Sequence, residues 1–268
     1  MKKYLVIGNP IDHSLSPKIH NYWFEKYKIE NSIYEKEKIE QKDLPTIYEK
    51  LKNGELAGVN VTLPFKKSIL PILDILETSA TETQSVNTIF KENDKVIGTN
   101  TDWEGFHRSI EKTLLPNKKN LDDKNIFIIG AGGVTSSIVY ALKKLGGKIF
   151  VSNRTQKKVE ELKNLFPEIN VIKWGNKPPR CEIVVNTTSV GLNSADKIDL
   201  DFSDYNNNEL FFDLIYSPKE TNFLKEAKLR GNKIINGKMM FLYQAAFAFS
   251  YWTRIKPDID DEVIELLD

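Results

Sequence analysis

A single cysteine, Cys181, stands in 268 residues. It has no partner within the chain, so no disulfide framework braces the fold. Its flanks place it in strand core, and a reducing cytoplasm is the compartment expected. Histidine is also sparse. His13, His20 and His107 show no metal-ligand spacing, so no metal site is expected and all three read as surface or helix residues. Neither sign of charge dominates: 38 Lys and Arg face 37 Asp and Glu, a net charge of +1. That balance argues against a dedicated nucleic-acid binder. Long apolar runs are missing too. KYLVIG, near the start, is too short for a signal peptide and Asn9-Pro10 ends it, so it reads as a first strand. MMFLYQAAFAFSYW is shorter than a membrane span and carries Gln244; it reads as a buried helix rather than a membrane segment. No internal repeat and no low-complexity tract is visible.

What is present is a globular composition, 40% hydrophobic and 28% charged. A chain of this length makes one large domain or two ordinary ones and buries roughly three quarters of its unfolded surface. Strand and helix patterns alternate at first: KYLVIG, then the amphipathic PKIHNYWFEKYKI, the alternating SIYEKEKI, the helix DLPTIYEKLKNG closed by Gly54, and the buried strand AGVNVTL. Pro64 then reads as the start of another helix, and SVNTIFKENDKVIGTN as a hairpin turning at Glu92-Asn93-Asp94. After the helix DWEGFHRSIEKTLL comes PNKKNLDDKN, polar and turn-prone, a natural seam. Beyond it strands alternate with helices again, and the chain ends in an apolar helix from Lys238 to about Arg254 and a short acidic one. The pattern predicts two α/β domains with mainly parallel sheets.

IFIIGAGGVTSSIVYALKKLG sets a buried strand, then Gly130, Gly132 and Gly133, then a helix. Such glycines permit a tight turn and a close approach of backbone to a pyrophosphate at the helix N-terminus. In this strand–turn–helix setting they predict a dinucleotide. Thr135 holds the third fingerprint position, where a β-branched residue is expected to crowd helix against strand. At the end of the next strand the chain reads SNRTQKK. An NAD site usually carries an acid here. Asn153, Arg154 and Thr155 instead offer donors, and a guanidinium matches a phosphate fork, so NADP is inferred over NAD.

The first domain carries polar side chains at several strand ends, where ligands bind in α/β sheets. HSLSPKIHN presents Ser14 and Ser16; Ser16 before Pro17 reads as a helix N-cap, and a helix start suits an anion. NVTLPFKK supplies Asn60, Thr62 and Lys66. Lys66 in a first helical turn would oppose the helix dipole, which invites a functional reading. SVNT places Asn87 in a strand, and GTNTDWEG ends a strand with Asn100 and Asp102. Taken singly, Asp102 could be an N-cap and Asn87 a satisfied buried amide. Together they make a donor-rich pocket with one Lys and one Asp, suited to a small polyhydroxylated substrate.

The chain resembles the shikimate dehydrogenase family along nearly its whole length. The stretches GNPIDHSLSPKIHN, GVNVTLPFK, SVNT, GTNTDWEG, GAGG, NRT, NTTSVGL, FDLIYSPKETNFL and NGKMMFLYQAAFAF stand in the family's order. The resemblance implies NADPH-dependent reduction of 3-dehydroshikimate to shikimate in aromatic amino-acid biosynthesis. It implies a substrate domain of residues 1–102 plus 238–268, an NADP domain of residues 103–237, and a cleft between them. It implies that Ser14 and Ser16 hold the substrate carboxylate, with Tyr216 nearby. Asn60, Thr62, Lys66, Asn87, Asp102 and Gln244 would bind ring hydroxyls or sit beside the reacting carbon, with Lys66 and Asp102 catalytic. Gly130, Ala131, Gly132, Gly133, Val134, Asn153, Arg154 and Thr155 fall on NADP positions, and Leu214 and Gly237 would flank the nicotinamide. The chain would act in the cytoplasm as a monomer or homodimer. It departs from the family in reading TQSVNT for AGAVNT, Thr78 where some members carry an acid, and VTSS after GAGG. The competing readings are an NAD-linked quinate/shikimate dehydrogenase, a catalytically silent NADP-binding regulator, and an α/β scaffold whose polar residues are caps and turns.

Overall fold

A computed structural model describes residues 1–114, 120–206 and 208–268. The chain divides into two compact units, Met1–Phe106 with Phe241–Asp268, and His107–Met240. The predicted seam at 116–125 falls partly outside the described residues, as does Leu115 at the end of the helix before it.

The first unit contains β1 (Lys2–Gly8), α1 (Ser16–Lys26), β2 (Ser32–Lys38), α2 (Leu44–Lys52), β3 (Gly58–Val61), β4 (Ile75–Leu76), α3 (Thr78–Thr83), β5 (Thr88–Glu92), β6 (Lys95–Thr99) and the start of α4 (Asp102–Leu114). Its sheet runs β2-β1-β3-β5-β6-β4. β1 pairs parallel with β2 and β3, and β4 with β6; the β5–β6 hairpin is antiparallel, and β5 pairs antiparallel with β3. The hairpin turns at Asn93 and Asp94, with φ of 48° and 59°, the left-handed pair that matches strand twist.

The second unit holds the rest of α4, then β7 (Asn125–Ile129), α5 (Thr135–Lys144), β8 (Lys148–Ser152), α6 (Gln156–Leu165), β9 (Asn170–Val171), β10 (Ile183–Asn186), β11 (Leu210–Asp213), α7 (Asn222–Leu229) and β12 (Lys233–Ile235). Its sheet runs β12-β11-β10-β7-β8-β9, parallel throughout. Four of the five β7 residues are buried, as a strand covered on both faces requires.

α8 (Lys238–Thr253) carries the chain back to the first unit, where α9 (Asp261–Glu265) ends it. Trp252 of α8 lies over Gly58 of β3, where an added Cβ would come within 2.3 Å of its indole nitrogen. That nitrogen donates to the Ile89 carbonyl at 3.0 Å. Phe249 packs with Trp23 and Phe24 of α1. On the other face, Ile47 and Leu51 of α2 join a core with Val59, Val61, Phe65, Ile69 and Ile89.

Several local expectations are corrected. Pro64 opens no α-helix: residues 63–69 form turns that lead into a short 3-10 turn at Leu70–Ile72. Two forces decide this. Pro71 would remove a donor and clash inside such a helix, and the Lys66 carbonyl is taken at 2.9 Å by the Val86 N–H of another segment. Lys66 therefore opposes no helix dipole. Ser16 is the first residue of α1, not its cap; Leu15 holds the cap position, and the Ser14 hydroxyl accepts from the Ser16 N–H at 3.4 Å. Asn87 precedes β5 by one residue, and Cys181 is buried two residues ahead of β10. The strand expected near INVIKW is cut to two residues. His20 is a helix residue, within what was expected of it, and it is fully buried, its imidazole pushed down to about 3 by burial.

Candidate active site

In the first unit, β1 leads to β2 on one side of the sheet and β3 lies on its other side. This reversal opens a crevice beyond the strands' carboxyl ends. Ser14 and Ser16 follow β1; Asn60 lies near the end of β3, and Thr62 and Lys66 follow it. The two loops are tied, since Asn9 N–H donates to the Leu63 carbonyl at 2.9 Å. Gly8 is needed there: a Cβ would lie 2.5 Å from the Thr62 methyl.

Lys66 Nζ donates to Asp102 Oδ2 at 2.5 Å, and both side chains are about nine-tenths buried, with 12% and 9% exposed. A buried pair stands only if further hydrogen bonds complete it. Asn87 Nδ2 supplies one, donating to Asp102 Oδ1 at 2.9 Å. Asn87 is itself locked: Nδ2 also donates to Thr101 Oγ1 at 3.0 Å, and its Oδ1 accepts from Thr101 N–H at 2.7 Å and Thr88 Oγ1 at 3.1 Å. Asp102 is the first residue of α4, and Asn100 Oδ1 caps that helix by accepting from Asp102 and Trp103 N–H. Gln244 of α8 sits at the edge of the cluster, 3.4 Å from Asn87 Nδ2. The fold thus gathers Lys66, Asn87, Asp102 and Gln244. Thr62 makes no side-chain hydrogen bond among the described residues. Sequence reasoning passed over Thr88, Thr101 and Tyr34, whose buried hydroxyls complete the network.

Glu104, one residue beyond Trp103 on α4, has a buried Oε2 with no partner among the described residues. Burial, with Glu77 nearby, pushes its carboxyl up to about 7. Glu77, next to Thr78, accepts from the Tyr251 hydroxyl at 2.9 Å. The folded state therefore holds a proton that the unfolded chain releases between the ordinary 4.5 and about 7. Stability from the neutral form falls as pH rises through that window. We expect Glu104→Gln to flatten this slope and to be the more stable chain at pH 8 by about 1–3 kcal/mol. Urea unfolding at pH 5 and pH 8 checks this; equal pH dependence in the two chains would remove it.

In the second unit the strand order reverses between β7 and β10, again where ligands bind. Gly130 follows β7 with φ +114°, and a Cβ there would lie 2.5 Å from Thr187 Oγ1. Gly132 faces open space with nothing within 4 Å. Ala131, Gly133 and Val134 complete the turn into α5. Thr135 does not crowd it, contrary to expectation. Its hydroxyl accepts from Gly132 N–H at 2.9 Å and meets Thr187 Oγ1 at 2.8 Å, so it ties the loop to the end of β10. Asn153 donates to the Thr155 carbonyl at 3.0 Å. Arg154 is exposed at the end of β8, and no carboxylate among the described residues pairs with it.

Leu214 and Gly237 meet: a Cβ on Gly237 would lie 1.9 Å from the Leu214 carbonyl oxygen. Buried Asp213 holds this loop by accepting from Thr221 Oγ1 at 2.6 Å, Ile215 N–H at 3.1 Å and Asn186 Nδ2 at 3.1 Å. Burial still pushes its carboxyl up to about 6. Tyr216, three residues on, is half-buried, and that burial raises its phenol. No cluster of three or more His, Cys, Asp or Glu among the described residues could hold a metal ion. No helix among them is long and apolar enough to cross a membrane.

Residues 6–89 match the family described as shikimate dehydrogenase substrate binding domain, and residues 112–214 the one described as shikimate / quinate 5-dehydrogenase. The chain belongs to the shikimate dehydrogenase family. It is 50% identical to a shikimate dehydrogenase (NADP(+)) of Pelagibacter ubique, over 100% of this chain and 99% of that one. The crystal structure of shikimate dehydrogenase from Aquifex aeolicus superposes with a TM-score of 0.88 at 37% identity, covering 100% of this chain and 97% of that one. The shikimate 5-dehydrogenase of Thermus thermophilus, solved with NADP(H) and shikimate, gives 0.87 at 30% identity over 100% and 98%.

Proposed function

We propose that this chain is an NADP-dependent shikimate dehydrogenase: it reversibly reduces 3-dehydroshikimate to shikimate with NADPH, in aromatic amino-acid biosynthesis. One observation carries the reading. A buried ammonium and a buried carboxylate stand 2.5 Å apart, braced by an amide, just beyond β3 and at the start of α4.

The residues of the second unit fit the cofactor. Gly130 to Val134 form an open turn into a helix, Asn153, Arg154 and Thr155 present donors and a free guanidinium, and Gly237 lies against the Leu214 backbone. When bound there, NADPH supplies a hydride to the carbonyl carbon of the substrate. The protein supplies position and a proton. Lys66 Nζ donates to the carbonyl oxygen as negative charge develops on it, and then gives that oxygen its proton. Asp102 accepts hydrogen bonds on both oxygens, from Lys66 and from Asn87. It therefore aims Lys66, and of the two side chains Nζ is the one that carries N–H donors. Asn87 acts through Asp102, since both of its N–H groups are already engaged. Ser14 and Ser16 take the substrate carboxylate beside the α1 N-terminus, and Asn60, Thr62 and Gln244 take ring hydroxyls. We place the enzyme in the cytoplasm, as a monomer or homodimer.

The test is a cofactor-by-substrate assay with shikimate or quinate, and NADP⁺ or NAD⁺, following reduced nicotinamide by absorbance. Fast turnover only with shikimate and NADP⁺ is expected. Preference for quinate or NAD⁺ would move the chain to the rival dehydrogenase. NADPH binding without turnover would make it a regulator.

A further inference from the structure

Tyr34 lies on β2, outside every motif that carries the family resemblance. Its ring is buried against His20, with centroids 4.3 Å apart and planes 7° apart, and against Trp252 at 5.9 Å. Its hydroxyl is 2.6 Å from Asn60 Oδ1.

The Asn60 amide has no freedom to turn over. Its Nδ2 lies 3.0 Å from the Asn87 backbone carbonyl and 3.0 Å from Thr88 Oγ1. A carbonyl only accepts, so the amide nitrogen faces it and the amide oxygen faces Tyr34. Tyr34 must then be the donor. Both N–H groups of Asn60 are engaged and one lone pair of its oxygen is taken. The second lone pair is all the polar capacity Asn60 has left, on a side chain in a residue still 7% exposed. Thr88 links the same network to Asn87 at 3.1 Å, and Asn87 holds Asp102.

We propose that Tyr34 is a positioning residue that fixes Asn60 as a hydrogen-bond acceptor, so that Asn60 takes a substrate hydroxyl as its donor. The proposal rests on the assignment of Asn60 to the ring hydroxyls above. Without the phenolic O–H, the amide oxygen loses its donor among the described residues and the amide is held from its nitrogen end alone, so the carbonyl offered to substrate is less firmly placed.

Tyr34→Phe keeps the ring against His20 and Trp252 and removes the hydroxyl, with its hydrogen bonds to Asn60 Oδ1 and to Ser16; the Asn60→Ala background separates the two. The wild-type chain is assayed first with shikimate and NADP⁺; no turnover there would remove the parent reading, not this one. Given turnover, Tyr34→Phe should raise KM for shikimate about 10-fold, lower kcat by less, and leave KM for NADP⁺ within about twofold. The decisive step is the cycle with Asn60→Ala. If Tyr34 acts through Asn60, Tyr34→Phe changes KM for shikimate less than about twofold in the Asn60→Ala background. An unchanged KM in the single variant, or the same rise in both backgrounds, would overturn the proposal. A lowered melting temperature with unchanged KM would make Tyr34 a packing residue and overturn it equally.

Discussion

Lys66→Ala should lower kcat by about 10²–10⁴ with a smaller change in KM for shikimate. The reason lies in timing. Charge appears on the carbonyl oxygen only as hydride arrives, so the ammonium interacts more strongly with the transition state than with bound substrate. An interaction of that kind moves kcat. The substitution has a second effect: Asp102 is left with one side-chain donor, Asn87, on a buried carboxylate. Removing one partner of a buried pair costs about 3–5 kcal/mol of stability. Turnover and unfolding free energy must therefore be measured on the same preparation. A folded variant with near-normal kcat would take Lys66 out of the mechanism. An unchanged kcat with a large rise in KM for shikimate would make Lys66 a binding residue instead.

Arg154→Asp should lower kcat/KM with NADP⁺ by about 10²-fold and leave NAD⁺ use equal or improved. Arg154 is exposed and bound to no carboxylate among the described residues, so its removal disturbs little of the fold. Its guanidinium matches the 2′-phosphate fork. Hydrogen bonds to charged groups contribute about 1.5–3 kcal/mol, and the aspartate adds repulsion against the phosphate while suiting a free 2′-hydroxyl. Steady-state kinetics with both nucleotides decide the matter. Equal losses with NADP⁺ and NAD⁺ would make Arg154 structural, and no loss with NADP⁺ would cancel the 2′-phosphate assignment. The loss with NADP⁺ should be largest at low salt, because the contact is exposed.

Much of this was legible in the residues because the signals are local. The Gly130–Val134 turn, the NRT donors and the Asn93-Asp94 hairpin each depend on a few adjacent side chains. Periodicity placed α1 and α2 close to their observed bounds. The failures are also physical. A helix after Pro64 looked sound until the Val86 N–H claimed the Lys66 carbonyl, a bond made across twenty residues. Thr135 looked obstructive until Thr187, from another strand's end, gave its hydroxyl a partner. Ser16 looked like a cap because capping serines are common, while it is the Ser14 hydroxyl that meets a free N–H at the helix start.

By itself, then, the sequence determined the class of the fold, the nucleotide turn and which residue types could do the chemistry. Those follow from composition, period and spacing. Only the tertiary structure decided which of them stand together. Lys66 and Asp102 are 36 residues apart, Asn87 and Gln244 are 157 apart, and Tyr34 and Asn60 are 26 apart on β2 and β3, separated in the sheet by β1. Hydrogen bonds between such partners are directional and short-ranged, so no pattern along one segment reveals them. They arise when parallel strands bring their carboxyl ends to one edge of the sheet, and burial then requires every donor and acceptor gathered there to find a partner.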